Sequence, residues 1–370
     1  IGRKDEKSAC KAATQLVWFV SLSAVAIMIL VYFGKDIILN QVFGHITAEV
    51  KGHADIYLLI VTASIPFIAL YNGGAAIFRA MGNSQVSMRV SLLMNAINVT
   101  GNAILVFGLR IGTAGVAIPT LISRMVAAIV ITVLLCNQTR ILHIERTLKF
   151  RFDGRMIRKI LAIGVPNGLE NSMFQLGKIL VLSLVSTFGT YAIAANAVSN
   201  AIALFQILPG MAISLAITTV ISQCVGANDY EQVHYYLKKL LVIIYVAMAG
   251  TVALIFLALP LILKAYNLSD QTAAAATNII HFHGISAMII WPLSFALPAA
   301  YRAAGDAKAC MYTSIVSMWI FRIGFSYLVG KYMGLGVFGV WVAMVIDWVV
   351  RAICFVIRYF NGKWKHGAIV

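Results

Sequence analysis

Ten apolar runs, each of about 20 residues or more, fill most of this chain, and they restrict its fold more than any other feature. A helix rises 1.5 Å per residue, so a run of that length crosses the ~30 Å hydrocarbon core of a bilayer. The runs cover 12–34, 55–78, 87–109, 113–136, 160–188, 191–223, 238–263, 274–300, 309–330 and 335–357. In lipid every backbone amide must be bonded within the protein, which leaves helices or a closed barrel. A barrel would alternate polar and apolar residues over ~10-residue strands, and no such alternation occurs here. Composition agrees with lipid as the solvent. The chain is 61% hydrophobic and 11% charged, against about 45–50% and 25% in soluble domains. The expected fold is therefore an all-α polytopic membrane protein with ten transmembrane helices.

The net charge of +16 does not mark a nucleic-acid binder. The positive residues lie in loops between apolar runs and form no single basic face. Alternate loops and their flanks hold 20 of the 29 Lys and Arg residues, the other loops hold 5, and Arg124, Lys178, Arg322 and Arg351 fall within spans. The positive-inside rule places the richer set in the cytoplasm, together with a C-terminal tail at 358–370. The segment 137–159 reads as a basic cytoplasmic linker between a first lobe, 1–136, and a second, 160–357. The five cysteines have neither disulfide nor zinc spacing.

Similar stretches recur at a nearly constant offset. "FRAMGNSQ" at 78–85 returns as "YRAAGDAK" at 301–308, "IGTAGVAI" at 111–118 as "LGVFGVWV" at 335–342, and "IGRKD" at 1–5 as "VGAND" at 225–229. Six spans separate the first pair, an even number, so both copies face the same side and the repeats are parallel. The second repeat starts about 70 residues before its "VGAND", whereas the first starts at "IGRKD". The expectation is two six-helix repeats, with the first two helices of repeat one missing from a truncated chain.

The doubled loops, "GVPNGLENSMFQ" at 164–175, and "AANAVSN" and "LPGMA" within 194–212 together resemble the multidrug and toxic compound extrusion (MATE) family, in its bacterial DinF-like branch. The resemblance implies a V-shaped bundle of two six-helix lobes in the bacterial inner membrane. It implies alternating access and export of cationic or amphiphilic organic compounds in exchange for H+ or Na+, by a monomer needing no cofactor beyond the coupling ion. It also implies a coupling-ion carboxylate on the helix of run 160–188, near Phe174 and Gln175. Glu170 lies one turn earlier.

Ionisable groups within spans are costly and mark candidate sites. Glu170, four residues after Pro166, is the candidate coupling group: it can carry a proton, ligate Na+ through oxygen, or pair with an intramembrane Arg or Lys. Asn98 and Asn102 share a helix face with Asn95, as a first-lobe polar site or as interhelical amide bonds. Asn196 and Asn200 stand one turn apart and are candidates, with Asn171 and Gln175, to line a second-lobe cavity. Lys178 either partners Glu170 or snorkels. Phe295 is a candidate apolar wall for a cation. Asp347 and Arg351 have the i,i+4 spacing of a local salt bridge. His281 and His283 face opposite ways, so no metal site is expected.

A lipid-linked pyrophosphate flippase is the alternative transport reading, kept by Arg124, Lys178 and Arg322. An enzyme is not expected, because protease, nucleophile-elbow and nucleotide-loop signatures are absent.

Overall fold

The computed structural model describes residues 1–42, 48–144 and 152–367. The linker and tail expectations thus fall partly outside the described residues, at 145–151 and 368–370. Twelve α-helices follow in order: α1 Glu6–Ile37, α2 Ala48–Ala63, α3 Ile65–Ala80, α4 Ser84–Asn102, α5 Thr113–Leu135, α6 Gly154–Ser186, α7 Thr190–Gly226, α8 Tyr230–Ala265, α9 Asp270–Trp291, α10 Leu297–Ala303, α11 Ala307–Ser317 and α12 Gly336–Phe360. Among the described residues there is no strand.

The ten expected runs fall on ten helical rods, because several helices continue through a distorted turn. α2 and α3 form one rod bent by 41°. The bend sits at Ser64, just before Pro66, whose ring removes an amide donor from the ladder. Arg124 of α5 donates to the Ser64 hydroxyl at 2.7 Å, and that hydroxyl donates to the Val61 carbonyl at 2.6 Å. The kink is thereby tied to a neighbouring helix. π-helical turns at Ala103–Gly108, Pro292–Ala296, Met318–Gly324 and Ser326–Tyr332 extend α4, α9 and α11. Pro209, by contrast, lies inside a continuous α7.

Eight rods are long and apolar enough to cross a membrane by those criteria alone, and the bent pair makes a ninth. The tenth, α6, is 33 residues long, but Glu170, Lys178 and several amides make it more polar. α8 presents Leu254, Leu257 and Leu261 on one stripe, and all three are at least 68% exposed. Such a stripe suits lipid.

The chain divides into two compact units, which meet in sequence at residues 160 and 161 within α6. In the first, α1, α3 and α5 pack in series, with α4 and α2 against α5. Its core is built around Phe78, Ile131 and Leu135, all fully buried. In the second, α7 packs against both α8 and α9, and α12 against α9. Tyr301, Met248 and Phe355 are central there and fully buried.

The repeat is visible within each unit as local conformation. α1 and α8 start 224 residues apart; α4 and α11, and α5 and α12, start 223 apart. Asp5 caps α1 by accepting from the Ser8 amide, and Asp229 caps α8 by accepting from the Gln232 amide. Lys4 and Asn228 share a left-handed backbone, φ 58° and 57°. Gly82 and Gly305, from the doubled loop, both have positive φ and close the preceding helix. The aromatic residue before each loop Arg, Phe78 or Tyr301, is fully buried in its own unit's core.

Candidate functional site

The second unit forms a partly open cavity of about 340 Å³ walled by α6, α7, the turn Met318–Gly324 and α12. Lys178 enters from α6, Asn196 and Asn200 from α7, Arg322 from the π-helical turn, and Trp341 and Met344 from α12. Widening α11 into a π turn shifts the phase of later side chains relative to an α-helix, which helps set Arg322's direction. The Trp341 indole donates to Asn196 Oδ1 at 3.1 Å, and Asn200 Nδ2 donates back to the Asn196 carbonyl at 2.8 Å. Of the candidates read from sequence, Lys178, Asn196 and Asn200 meet here.

Beside the cavity, one aromatic ring gathers three cations. The Phe174 ring centre lies 5.2 Å from Lys178 Nζ, 4.9 Å from Arg322 Cζ and 5.6 Å from Arg351 Cζ. A ring's negative face favours such placement. The resemblance expects a carboxylate near this position, and the chain places a phenyl ring there. Asp347 supplies the nearby negative charge, and it is engaged: its Oδ1 accepts from Arg351 Nε at 3.1 Å and from the Ser317 hydroxyl at 2.5 Å. Arg351 Nη2 donates to the Ser314 carbonyl at 3.1 Å. The i,i+4 pair expected at 347 and 351 is present and is almost fully buried. Such a pair is held by its surrounding hydrogen bonds as much as by its Coulomb attraction.

Glu170 pairs with Arg302, whose Nη1 lies 3.1 Å from Oε2 and 3.4 Å from Oε1. Lys178 is not its partner: it turns instead to the Phe174 ring and the cavity. Arg302 belongs to the second copy of the doubled loop, which sequence reasoning assigned to topology and not to any site. The same loop's Asp306 accepts from Arg358 Nε at 2.6 Å.

The remaining candidates lie elsewhere. Asn171 Nδ2 donates to the Asn167 carbonyl at 2.8 Å on an exposed face of α6, and Gln175 is exposed; neither lines the cavity. Phe295 stacks on Trp291 at 5.4 Å and receives Arg351 over its face at 5.3 Å, so it supports the cation cluster from behind. In the first unit Asn98 donates to the Thr120 hydroxyl at 3.0 Å and Asn102 donates to Asn98 Oδ1 at 3.2 Å. This is an amide ladder joining α4 to α5. Asn102 Oδ1 is buried without a hydrogen bond.

One participant, Trp341, escaped sequence reasoning, and another, His283, was weighed there only as a metal ligand. His283 is buried between the edges of Trp341 and Trp348, with Nδ1 2.5 Å from Gln206 Oε1. It stands directly behind the cavity's indole. Trp341 itself sits where the first repeat has Ala117, 224 residues earlier, one of several positions at which the two copies differ. Nothing in the sequence singled it out. Among the described residues no three His, Cys, Asp or Glu side chains converge as a metal site.

Comparison with known proteins gives consistent matches. The MatE family profile matches residues 1–104 and 166–328. YisQ of Bacillus subtilis, described as an uncharacterized transporter, is 27% identical over 98% of this chain and 80% of its own length. A probable multidrug resistance protein NorM of Thermotoga maritima is 22% identical, covering 97% of this chain and 78% of that protein. Among solved structures, an outward-facing multidrug resistance MATE family transporter of the MOP superfamily superposes with a TM-score of 0.90 at 22% identity. That match covers 99% of this chain and 81% of the other.

Proposed function

The chain belongs to the MatE family of membrane transporters, and from that premise we propose that it exports small amphiphilic organic compounds across the bacterial cell membrane in exchange for H+ or Na+. It is a transporter and not an enzyme. One observation carries the proposal: a cavity of about 340 Å³ with both charged and apolar walls lies among membrane-length helices. That volume is in the range that holds a small organic compound, and charged groups within apolar spans are functional candidates.

Glu170 is the proposed coupling group. It is a mostly buried carboxylate on α6, the helix that also carries Lys178 into the cavity. Its pairing with Arg302 gives it two states. Ionised, it holds the arginine; protonated, or bound to Na+, it releases the arginine and changes how α6 is held to α10. Pro166, one turn earlier, leaves α6 a weakened hydrogen-bond ladder at which to bend. Alternating access, with the C-terminus in the cytoplasm and the monomer as the working unit, completes the proposal.

The test is Glu170→Gln in everted membrane vesicles with an imposed proton or sodium gradient. We expect gradient-driven dye efflux to be lost while the protein still inserts. Undiminished efflux would remove Glu170 from coupling and leave it a structural partner of Arg302.

A second reading, a flippase for lipid-linked pyrophosphate, draws support from Lys178 and Arg322 in the cavity. Binding of such a lipid, without dye efflux, would favour it over export.

A further inference from the structure

We infer that the cavity of the second unit binds the anionic group of an amphiphilic aromatic compound, which deepens the export reading by reversing the charge expected of the cargo. The walls carry two cations, Lys178 and Arg322, and no carboxylate. Among the described residues neither side chain has an ion-pair or hydrogen-bond partner. Both lie over the shared Phe174 ring, and Arg322 is also within electrostatic reach of Asp347. Glu170 is paired with Arg302, and Asp347, whose Oδ1 holds Arg351 and Ser317 and whose buried Oδ2 has no hydrogen bond, is one negative charge beside three cations, Lys178, Arg322 and Arg351.

The neutral polar groups point the same way. An indole N–H can only donate, so the Trp341 bond fixes Asn196 with its oxygen toward the indole. The Asn196 amide nitrogen is thereby left with hydrogens to give. Ammonium, guanidinium and amide thus offer donors to one small space. Asn200 Oδ1 is a lone neutral acceptor beside two positive charges, and a cation entering here would meet repulsion from both. Trp341, Met344 and Leu182 provide the apolar wall on which an aromatic body can lie. A sulfonate, carboxylate or phosphate monoester has the matching chemistry, whether it comes on a soluble compound or on an anionic lipid.

The experiment titrates the purified full chain in neutral detergent with a matched pair of probes, naphthalene-2-sulfonate and 2-naphthylmethylammonium, by calorimetry. The sulfonate is expected to bind about tenfold or more tighter, as one charge-assisted contact is worth at least that factor. Lys178→Gln should weaken sulfonate binding about tenfold, and Lys178→Glu should reverse the preference. Lys178 is exposed, so these variants should fold even where Arg322→Gln does not. Ammonium binding as tight as sulfonate binding, or sulfonate binding indifferent to Lys178→Gln, overturns the inference. Phosphatidylglycerol that competes with the sulfonate identifies a lipid as the occupant; failure to compete identifies a soluble anion. Sulfonate binding without gradient-driven movement in proteoliposomes would sink the export reading and leave the site standing. Gradient-driven movement of the ammonium with no sulfonate binding would do the reverse.

Discussion

At the scale of single residues, function gathers where a polar group has lost water and found an unusual partner. His283 and Gln206 are both essentially buried and satisfy each other, while Gln206 Nε2 also donates to the Ile280 carbonyl at 3.2 Å. Replacing His283 by Ala should strand the Gln206 carbonyl and cost about 1–3 kcal/mol, read as a lower melting temperature in detergent. Arg302→Gln should mimic Glu170→Gln in transport assays if the pair is the coupling switch. If the pair only braces the fold, the double substitution should be closer to wild type in stability than the sum of the single ones, with transport intact. Outside the membrane, Asp153 accepts from Lys11, and that hydrogen bond is the chief reason its carboxyl is held below the ordinary carboxylate range. A lowered folded value means that the contact stabilises the protein above the unfolded value of 3.8 and fades as pH falls through the folded one. Acid titration of the wild type should therefore show a loss of stability that Asp153→Asn has already incurred and does not repeat.

Elements show how close approach replaces the hydrophobic effect where lipid is the solvent. Between membrane helices, packing and small residues carry association, because lipid tails are as apolar as leucine. Gly339 of α12 meets Gly330 of the turn Ser326–Tyr332 so closely that a Cβ on Gly339 would stand 2.8 Å from the Val329 carbonyl oxygen. Because that neighbour is backbone, it cannot swing aside. Gly339→Val should prevent stable folding of the second unit, measured as loss of a monodisperse detergent peak; normal yield and stability would refute the contact. Gly115, the counterpart of Gly339 in the first unit, makes a looser form of the same approach, with an added Cβ 3.2 Å from the Leu105 carbonyl oxygen. Most rods were legible in sequence because length and apolarity suffice to define them. The π turns were not, since they alter phase without altering composition, and Arg322, which lines the cavity, lies in one of them.

For the whole chain, the distribution of Lys and Arg sets a topology that can be checked directly. A green fluorescent protein fused after Val370 should fluoresce in intact bacteria, as the reporter matures in the cytoplasm; a dark but fully expressed fusion would invert the assignment. The duplicated pattern of caps, positive-φ positions and buried aromatics means that each unit repeats the same local solutions with different side chains at the centre. In the first unit Asn98 and Asn102 bridge two helices with neutral amides. In the second, Lys178 and Arg322 line the cavity and the Asp347–Arg351 pair is buried. The first unit's Arg124, by contrast, is bound to the Ser64 hydroxyl.

The sequence by itself determined that the chain is helical and membrane-embedded, that similar loop stretches recur along it, and that Lys178, Asn196 and Asn200 were candidate site residues. These follow from properties local to the chain: apolar length, loop charge and recurrence. Tertiary structure alone decided partners. It gave Glu170 to Arg302 across 132 residues and turned Lys178 toward the cavity. It set Arg322 and Trp341 opposite the asparagines, and left Asn171, Gln175 and Phe295 outside the cavity lining. The physical reason is that a helix's sequence fixes which residues share a face, whereas the neighbour that face meets depends on packing between segments far apart in the chain.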